Sequence, residues 1–421
     1  MGKNGIHIEI QERVLPNGLT LLAVRNPGVS TFAAGLMLDV DLRDERAGEQ
    51  GLAYLVGECL DEGTKKYSAL ELADQVDRIG GSLEASASGA GVNCPAESSR
   101  KAVSLLAEVA FGATFPAREV RRVQQEVLSE IKTAADDPRA VAGERFRKKV
   151  YGKHPYARPV RGTKQTIGGF KPADLRRFHR RLFVPDRGYV AACGPDDPAK
   201  TLAMLERVFA GFKGQRPERK ACPAPAMPKQ TSDHHVHMKR EQVHVFVGHP
   251  GIRRTDPDFY ALSVMDHILG TGPGFTSRIA RGLRDEQGLC YTVDAAITPS
   301  AREEPGCFSA YIGTSPDHRQ RAIDGFLKEI RRIRDKLPSQ REVDDVQQYL
   351  TGSFVWQLER NAALARYAIR AKLYGLGFDY IDRYPEYVRS VTRADVRRVA
   401  RAHLDPDRVV IMSAGAGRSS R

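Results

Sequence analysis

Tyr54 and Glu58 stand four residues apart in a segment whose pattern predicts a helix, so both side chains leave the same helix face. Two histidines at this spacing on one helical turn can bind zinc. Neither residue here is a histidine, and the sequence has no histidine between His7 and His154. A catalytic zinc also needs three protein ligands and an open position for water. The segment therefore has the spacing of a metal site without its usual ligands.

Arg284 and Tyr291 form a second candidate pair, in the other half of the chain. An arginine can hold a peptide carbonyl or carboxylate through paired hydrogen bonds, and a tyrosine hydroxyl can stabilise the oxyanion of a tetrahedral intermediate. From the residues alone, a surface arginine and a strand tyrosine that faces the cover of a sheet are the favoured interpretation. Gly270, Gly272 and Gly274 precede the pair. They are too few and wrongly spaced for a phosphate-binding loop, and they predict a flexible turn that touches substrate.

A cluster of histidines suggests a metal site of another kind. His234, His235 and His237 lie close together, and His244 and His249 follow. In an extended strand, residues two apart share a face, so two of these histidines would be available as ligands. No cysteine or carboxylate at a fixed spacing completes a site. The pattern favours histidines of a linker and an edge strand.

An internal repeat supplies the elements that would position these residues. Residues 173–194 match residues 394–415 at an offset of 221, and residues 119–125 match 342–348 at an offset of 223. Two matches in the same order at nearly one offset indicate a duplicated domain, because a solenoid has a much shorter period.

Each copy combines strands and helices in a mixed order. The predicted elements are opening strands at 19–24 and 243–247, long helices at about 47–62 and 257–269, and closing strands at 188–193 and 409–414. This order predicts an α+β fold, in which helices cover one face of a mostly antiparallel sheet. Trp356 lies at helical spacing within 340–372 and is predicted to belong to the core.

The length of 421 residues is too great for one hydrophobic core. We predict an N-terminal domain over 1–212, a polar and proline-rich linker over 213–231, and a C-terminal domain over 232–421. The six cysteines are far apart and include no Cys-x-x-Cys pair, which indicates reduced thiols. No apolar run of the signal-peptide or membrane-span type occurs, so we expect a cytoplasmic protein that acts away from membranes.

The formal net charge of +13 comes mainly from one stretch, since residues 101–220 contain 26 basic and 13 acidic side chains. A basic stretch raises the hypothesis of a nucleic-acid partner. Here the charges are interrupted by apolar residues at helical spacing, and no nucleic-acid recognition motif accompanies them. Solvated helix faces are the favoured interpretation, and no nucleic acid is expected as a partner.

The segment 51–64 resembles the first motif of the pitrilysin-type metallopeptidases, the inverzincins with H-x-x-E-H, to which the mitochondrial processing peptidase belongs. Flanking segments agree in the same order, at 15–19, 43–45 and 79–81, and the resemblance extends from about 12 to 415. It implies the fold of that family, with two similar α+β domains.

The resemblance also implies which role in the family's zinc site corresponds to each of four positions. The family's first histidine falls on Tyr54, its catalytic glutamate on Gly57, its second histidine on Glu58 and its third ligand on Glu130. Only the last is kept, and glycine cannot act as a general base. Two carboxylates and a phenol are a poor zinc set, so a different cation at these positions is the weaker hypothesis, behind solvated or ion-paired carboxylates. The strand that pairs with substrate in the family reads Glu84-Ala85 here in place of Asn-Ala.

The second half keeps its motif. Arg284 and Tyr291 match the family's arginine–tyrosine pair, which comes from the half without zinc and points into the zinc site of the other half. The resemblance therefore predicts the non-catalytic subunit of a heteromeric zinc peptidase. It would bind peptide through Gly270, Gly272 and Gly274, and would supply its pair to a paralogous partner subunit that carries the zinc, while holding no metal itself. The alternative is a catalytically inert homodimer with a structural or peptide-binding role.

Overall fold

The computed structural model describes residues 8–273 and 276–417. The strands are β1 (Glu9–Val14), β2 (Thr20–Arg25), β3 (Thr31–Met37), β4 (Ser82–Ser86), β5 (Gly89–Pro95), β6 (Tyr189–Gly194), β7 (Ser232–His237), β8 (Val243–Pro250), β9 (Cys290–Ala296), β10 (Cys307–Thr314) and β11 (Val410–Gly415). The α-helices are α1 (Leu52–Glu58), α2 (Ala69–Arg78), α3 (Ser99–Gly112), α4 (Ala117–Asp136), α5 (Pro138–Tyr151), α6 (Lys164–Gly169), α7 (Pro172–Leu182), α8 (Pro198–Phe209), α9 (Phe259–Asp266), α10 (Arg319–Asp335), α11 (Gln340–Trp356), α12 (Asn361–Leu373), α13 (Tyr380–Arg389) and α14 (Arg393–His403).

Two sheets share one topology. The first has the order β1-β2-β6-β3-β5-β4 and the second β7-β11-β8-β10-β9. In each sheet the first strand of the repeat, β2 or β7, lies parallel to the last, β6 or β11, and all other pairings are antiparallel. Strand β1 is an addition to the first sheet. The prediction of an α+β fold with two similar, mostly antiparallel sheets is confirmed.

The opening strand of the second copy is β7, whereas the sequence suggested residues 243–247. Those residues belong to β8, which corresponds to β3 of the first copy. Strand β7 escaped notice because it is an edge strand of polar residues, SDHHVH, with no apolar alternation to reveal it. The helix predicted over 47–62 is also shorter, since α1 spans only Leu52–Glu58.

The chain forms two compact units that are not continuous in sequence. Unit 1 comprises residues 1–131, 158–221 and 355–381, and unit 2 comprises residues 132–157, 222–354 and 382–421. These units differ from the predicted domains 1–212 and 232–421, because each includes one helix from the other half of the chain.

Helices α5 and α12 are the exchanged helices. In unit 2, α5 places Phe146 against Phe246 of β8, with ring centroids 5.7 Å apart. In unit 1, α12 begins at Asn361, whose side-chain amide donates to the Thr31 carbonyl of β3 at 2.7 Å. Periodicity indicates that a helix is amphipathic, but it does not indicate which sheet the helix covers.

The predicted linker is fixed to unit 1 over its first part. Arg216 and Arg219 each donate to the Asp44 carboxylate at 2.7 Å, through Nη2. Arg216 also donates from Nε to the Asp39 carbonyl at 2.7 Å, and its side chain is only 2% exposed. The polar composition that predicted a linker therefore includes two arginines that pair with the buried carboxylate of Asp44.

Trp356 is not a core residue, and that prediction was wrong. The side chain is 75% exposed at the end of α11. The buried residues of α11 are Val343, Val346 and Leu350, which repeat at helical spacing along one face, and Trp356 lies outside that row.

Candidate functional site

Helix α1 carries the altered zinc motif, and a buried acid fixes its start. One oxygen of Glu45, Oε1, accepts from the backbone N–H groups of Gly51 at 3.0 Å and Ala53 at 3.1 Å. Burial is the main cause that raises the pKa of Glu45 to about 8. Leu55 and Val56 are fully buried on the inner face, which leaves Tyr54 and Glu58 on the outer face. The acid next to the motif is thus a helix cap.

Tyr54 and Glu130 lie together, as the resemblance implied. The Tyr54 hydroxyl donates to Oε2 of Glu130 at 3.1 Å. Arg161 donates from Nε to the same oxygen at 2.9 Å, and its guanidinium carbon lies 5.7 Å from the centre of the Tyr54 ring. Glu130 and Arg161 are both about half exposed. The surviving carboxylate of the motif is therefore paired with an arginine of the same unit.

Arg161 was missed by the sequence analysis, although it neutralises the site. A close backbone contact brings it there, because a Cβ on Gly51 would lie only 2.5 Å from the Cα of Gly162. Both glycines have positive φ, 86° and 74°. The segment at 161–162 therefore lies against the start of α1. In the sequence, the only indication was that the acids Glu58 and Glu130, if they lay together, would need a cation nearby.

Glu58 lies beside this network, and no basic side chain of the described residues lies at ion-pairing distance from its carboxylate. Burial raises its pKa, and the nearby negative charge of Glu130 raises it further, while Arg161 lowers it. Burial likewise raises the pKa of Tyr54. These groups do not suit zinc, since the one retained ligand is bound to a guanidinium and the others are a phenol and a carboxyl group that burial disfavours as an anion.

The resemblance aligns Gly57 with the family's catalytic glutamate, and no side chain fits at this position. A Cβ at this position would lie 2.4 Å from the backbone nitrogen of Ala87 and 2.6 Å from the carbonyl carbon of Ser86. These atoms belong to the turn that follows β4, so the helix and the hairpin are in backbone contact. The general base is absent, and the space that it would need is filled.

Arg284 and Tyr291 lie together in unit 2. Arg284 belongs to a π-helical turn, Ala280–Asp285, and its guanidinium carbon lies 5.8 Å from the centre of the Tyr291 ring. The Arg284 side chain is 27% exposed and lies 3.9 Å from the carboxylate of Asp285. A π-helical turn widens the helix and is frequent at functional sites.

Tyr291 is exposed because of an irregularity in its strand. It lies on β9, the edge strand of the second sheet, where the register with β10 shifts between Ile312 and Thr314. Such a bulge turns side chains away from their regular direction. Tyr291 is 82% exposed, and its hydroxyl makes no hydrogen bond within the described part of the chain. The alternative of a tyrosine that faces the cover of the sheet does not describe this residue.

The predicted substrate-contacting glycines differ in what surrounds them. Gly270 lies in a second π-helical turn, His267–Thr271, which packs on β9, and a Cβ there would lie 2.2 Å from the Ala295 carbonyl oxygen. Gly272 is confined by the His267 carbonyl oxygen at 2.8 Å from the same hypothetical atom. Gly274 lies outside the described residues. The close packing at this position therefore requires glycine whether or not a substrate binds to Gly270.

The histidine cluster belongs to the second sheet, where β7 is an edge strand, as predicted, and β8 is the central strand. His234, His235 and His237 are on β7, and His235 Nδ1 lies 2.9 Å from Ser413 Oγ. His244 and His249 are on β8. No metal-ligand group forms among these five in the described ranges.

One cluster that could hold a metal was not found from the sequence. Asp256, Asp258 and His403 bring their ligand atoms within 4.8 Å of one another, as the only such group of three among the described residues. Asp258 accepts from Arg398 and is paired with His403 at 2.8 Å each. A cation would have to displace the arginine, so this cluster is an ion pair.

Three further expectations concern composition. All six cysteines are free thiols in the structure, four of them buried. Across the described ranges, no helix combines the length and the apolar character that crossing a bilayer requires. In the basic stretch, Arg177 and Arg180 are exposed on α7, as solvated helix faces would be.

The fold and these motifs define a class of protein that sequence comparison also identifies. The chain belongs to peptidase family M16. Residues 20–164 match the model described as "Insulinase (Peptidase family M16)", and residues 169–350 match that described as "Peptidase M16 inactive domain".

Several relatives are described as uncharacterized zinc proteases. "Uncharacterized zinc protease SCO5738" of Streptomyces coelicolor is 27% identical over 95% of this chain and 88% of its own length. "Uncharacterized zinc protease Rv2782c" of Mycobacterium tuberculosis is 31% identical over 72% of this chain and 70% of its own length. Among solved structures, a "peptidase M16 inactive domain" from Pseudomonas fluorescens is 24% identical with a TM-score of 0.90, covering 98% of this chain and all of that one, and it supports the fold alone.

Proposed function

We propose that this chain is the non-catalytic, peptide-binding subunit of a heteromeric zinc metallopeptidase. It would associate with a paralogous chain that carries the zinc, and would place Arg284 and Tyr291 at that chain's active site. The observation that carries the proposal is the contrast between the two motifs of one chain: the altered zinc motif is blocked at Gly57, whereas the arginine–tyrosine pair is assembled with Tyr291 82% exposed.

The first motif has been replaced by a stable polar network. Glu130 binds Arg161 at 2.9 Å, and this guanidinium supplies the positive charge that a bound metal would otherwise provide. A half-exposed ion pair of this kind contributes little to stability, at most about 1 kcal/mol, but it removes the need for a cation. In this chain alone, the motif supplies neither a set of zinc ligands nor a general base for hydrolysis.

The second motif has the features of a working contact. Arg284 lies in a π-helical turn and Tyr291 at a β-bulge. Both are irregularities of the backbone that a purely structural segment does not need and that are frequent next to functional sites. Arg284 is suited to hold a peptide carbonyl, and the Tyr291 hydroxyl is suited to donate a hydrogen bond to an oxyanion.

The test begins with the chain alone. We expect less than one zinc per chain by elemental analysis, and no cleavage of a mixed peptide library. Cleavage by the purified chain that a chelator abolishes would overturn the proposal. Co-purification from the native host with mass spectrometry should then identify a partner with an intact H-x-x-E-H motif, and the reconstituted pair should cleave peptides.

Variants of the reconstituted pair test the role of the two side chains. Arg284→Ala and Tyr291→Phe should each lower kcat by about 10–1,000-fold, the range typical of a lost oxyanion donor. Arg341→Ala is the control, because Arg341 on α11 is 90% exposed and far in sequence from the pair. If the chain instead purifies as a homodimer with no metallopeptidase partner, and both variants change only its stability, the chain has the structural or peptide-binding role of a catalytically inert homodimer.

A further inference from the structure

The short segment between Arg284 and Tyr291 is closed by hydrogen bonds of the main chain. The Gly288 N–H donates to the Arg284 carbonyl at 3.0 Å, and the Leu289 N–H donates to the Leu283 carbonyl at 2.9 Å. Gly288 has a φ of 61°, in the left-handed region that favours glycine. Leu289 is 3% exposed and belongs to the hydrophobic core of unit 2. These bonds end the π-helical turn and set the point at which β9 begins.

Thr314 holds the same point from the neighbouring strand. It is the last residue of β10 and is 2% exposed, and its hydroxyl donates to the Leu289 carbonyl at 2.6 Å. Leu289 is therefore held through its N–H by the turn that contains Arg284 and through its C=O by β10. Removing one partner of a buried hydrogen bond is costly, because the group that remains is left without water as well.

The β-bulge that exposes Tyr291 lies immediately beside Thr314. The two strands pair regularly up to Ile312 and again at Thr314, but between these positions β9 has two residues, Tyr291 and Thr292, where β10 has only Gly313. Side chains of a strand alternate between its faces, so a slip of one residue would turn Tyr291 to the opposite face. The pairing at Thr314 therefore sets the direction of the tyrosine.

We propose that Thr314 is a positioning residue for the arginine–tyrosine pair: its hydroxyl fixes the Leu289 carbonyl and thereby keeps Tyr291 exposed in one register of the bulge. This rests on the function proposed above, in which the pair acts at the active site of a partner subunit. Thr314 is buried and acts through Tyr291, not on the peptide itself. Groups that are held in place before a substrate arrives lose little entropy on binding and keep the reacting atoms aligned.

Hydrogen exchange of the purified full chain tests this connection without any partner. Thr314→Val keeps the shape of the side chain and removes the hydroxyl, so it should speed exchange in peptides covering 283–292 by about tenfold or more. Thr314→Ser keeps the hydroxyl and should restore exchange to near the wild-type rate. Thr351→Val is the matched control, because it also removes a hydroxyl of unit 2 that donates to a backbone carbonyl, that of Gln347 at 2.8 Å. It should leave 283–292 unchanged.

The thiol of Cys290 gives a second measurement, directly beside Tyr291. Burial raises the pKa of this thiol to about 11, so iodoacetamide should modify it slowly in the wild-type chain. More frequent opening in Thr314→Val exposes the thiol and lowers its pKa, which should speed the labelling by a factor similar to that for exchange. Cys307, buried on β10, is the internal control whose labelling should not change. Exchange and labelling in Thr314→Val equal to those of the wild type would overturn the positioning role.

Kinetics of the reconstituted two-subunit enzyme then test the consequence. Thr314→Val should lower kcat more than it raises KM, since the peptide still binds while the tyrosine hydroxyl is displaced, and Thr314→Ser should restore kcat. In a Tyr291→Phe background Thr314→Val should have a much smaller effect, because the hydroxyl that it positions is already absent. An equal loss of kcat in both backgrounds, or an unchanged kcat in Thr314→Val, would overturn the proposal. If the wild-type enzyme cleaves nothing while exchange and labelling respond as expected, the proposed peptidase function fails and the hold of Thr314 on Tyr291 is supported.

Discussion

Replacing Gly57 by alanine is the sharpest test of why the zinc motif has been lost. In an open helix this change is favourable by roughly 0.5–1 kcal/mol, because glycine loses more backbone entropy on folding. Here the added Cβ would lie 2.4 Å and 2.6 Å from backbone atoms of Ala87 and Ser86, so the helix or the hairpin must shift. Overpacking against backbone costs about 1–3 kcal/mol, which outweighs the entropic gain.

We therefore expect Gly57→Ala to be destabilised by about 1–2 kcal/mol, which corresponds to a Tm lower by roughly 2–8 °C. Gly168→Ala is the matched control, since Gly168 is a helical glycine of the same unit with nothing within 4 Å of its hypothetical Cβ. It should be neutral or slightly stabilising. Differential scanning calorimetry and urea unfolding measure both. A Gly57→Ala protein as stable as the Gly168→Ala protein would refute the claim that the hairpin excludes a side chain.

The remaining predictions concern buried charge and pH. Because the pKa of Glu45 is raised to about 8 in the folded state, its contribution to stability is present at acid pH and is lost as the pH rises through about 8; Glu45→Gln should therefore flatten the pH dependence of unfolding between pH 5 and 9, and an unchanged profile would contradict the assignment. Asp44→Ala should destabilise unit 1 by about 3–5 kcal/mol in urea unfolding, because it leaves the buried Arg216 without its closest carboxylate. Asp407→Ala, whose pair with Arg331 is exposed, should cost less than about 1 kcal/mol, and equal losses in the two variants would show that burial does not matter here.

Much of the fold was predictable because the chain repeats itself. The matched segments 173–194 and 394–415 contain α7 and β6 in the first copy and α14 and β11 in the second, so a duplicated α+β fold followed from the sequence. The edge strand β7 was missed because its residues are polar. The exchange of α5 and α12 was missed because an amphipathic pattern does not indicate which sheet the helix will cover.

The candidate site divides in the same way. Residue identity and the resemblance predicted that Tyr54, Gly57 and Glu58 do not make a zinc site, and that Arg284 and Tyr291 correspond to the family's pair. Sequence could not show that Arg161 pairs with Glu130, since the two are 31 positions apart and contacts such as that of Gly51 with Gly162 bring them together.

The sequence by itself therefore determined the family and the duplication, and through the resemblance it predicted the loss of the metal ligands, because these depend on residue types and on local spacing. Only the tertiary structure decided that the space at Gly57 is filled, that Trp356 is exposed and that Tyr291 leaves its sheet at a bulge. Each of these depends on which backbone lies against which, and such contacts between distant segments arise from packing that no local pattern encodes.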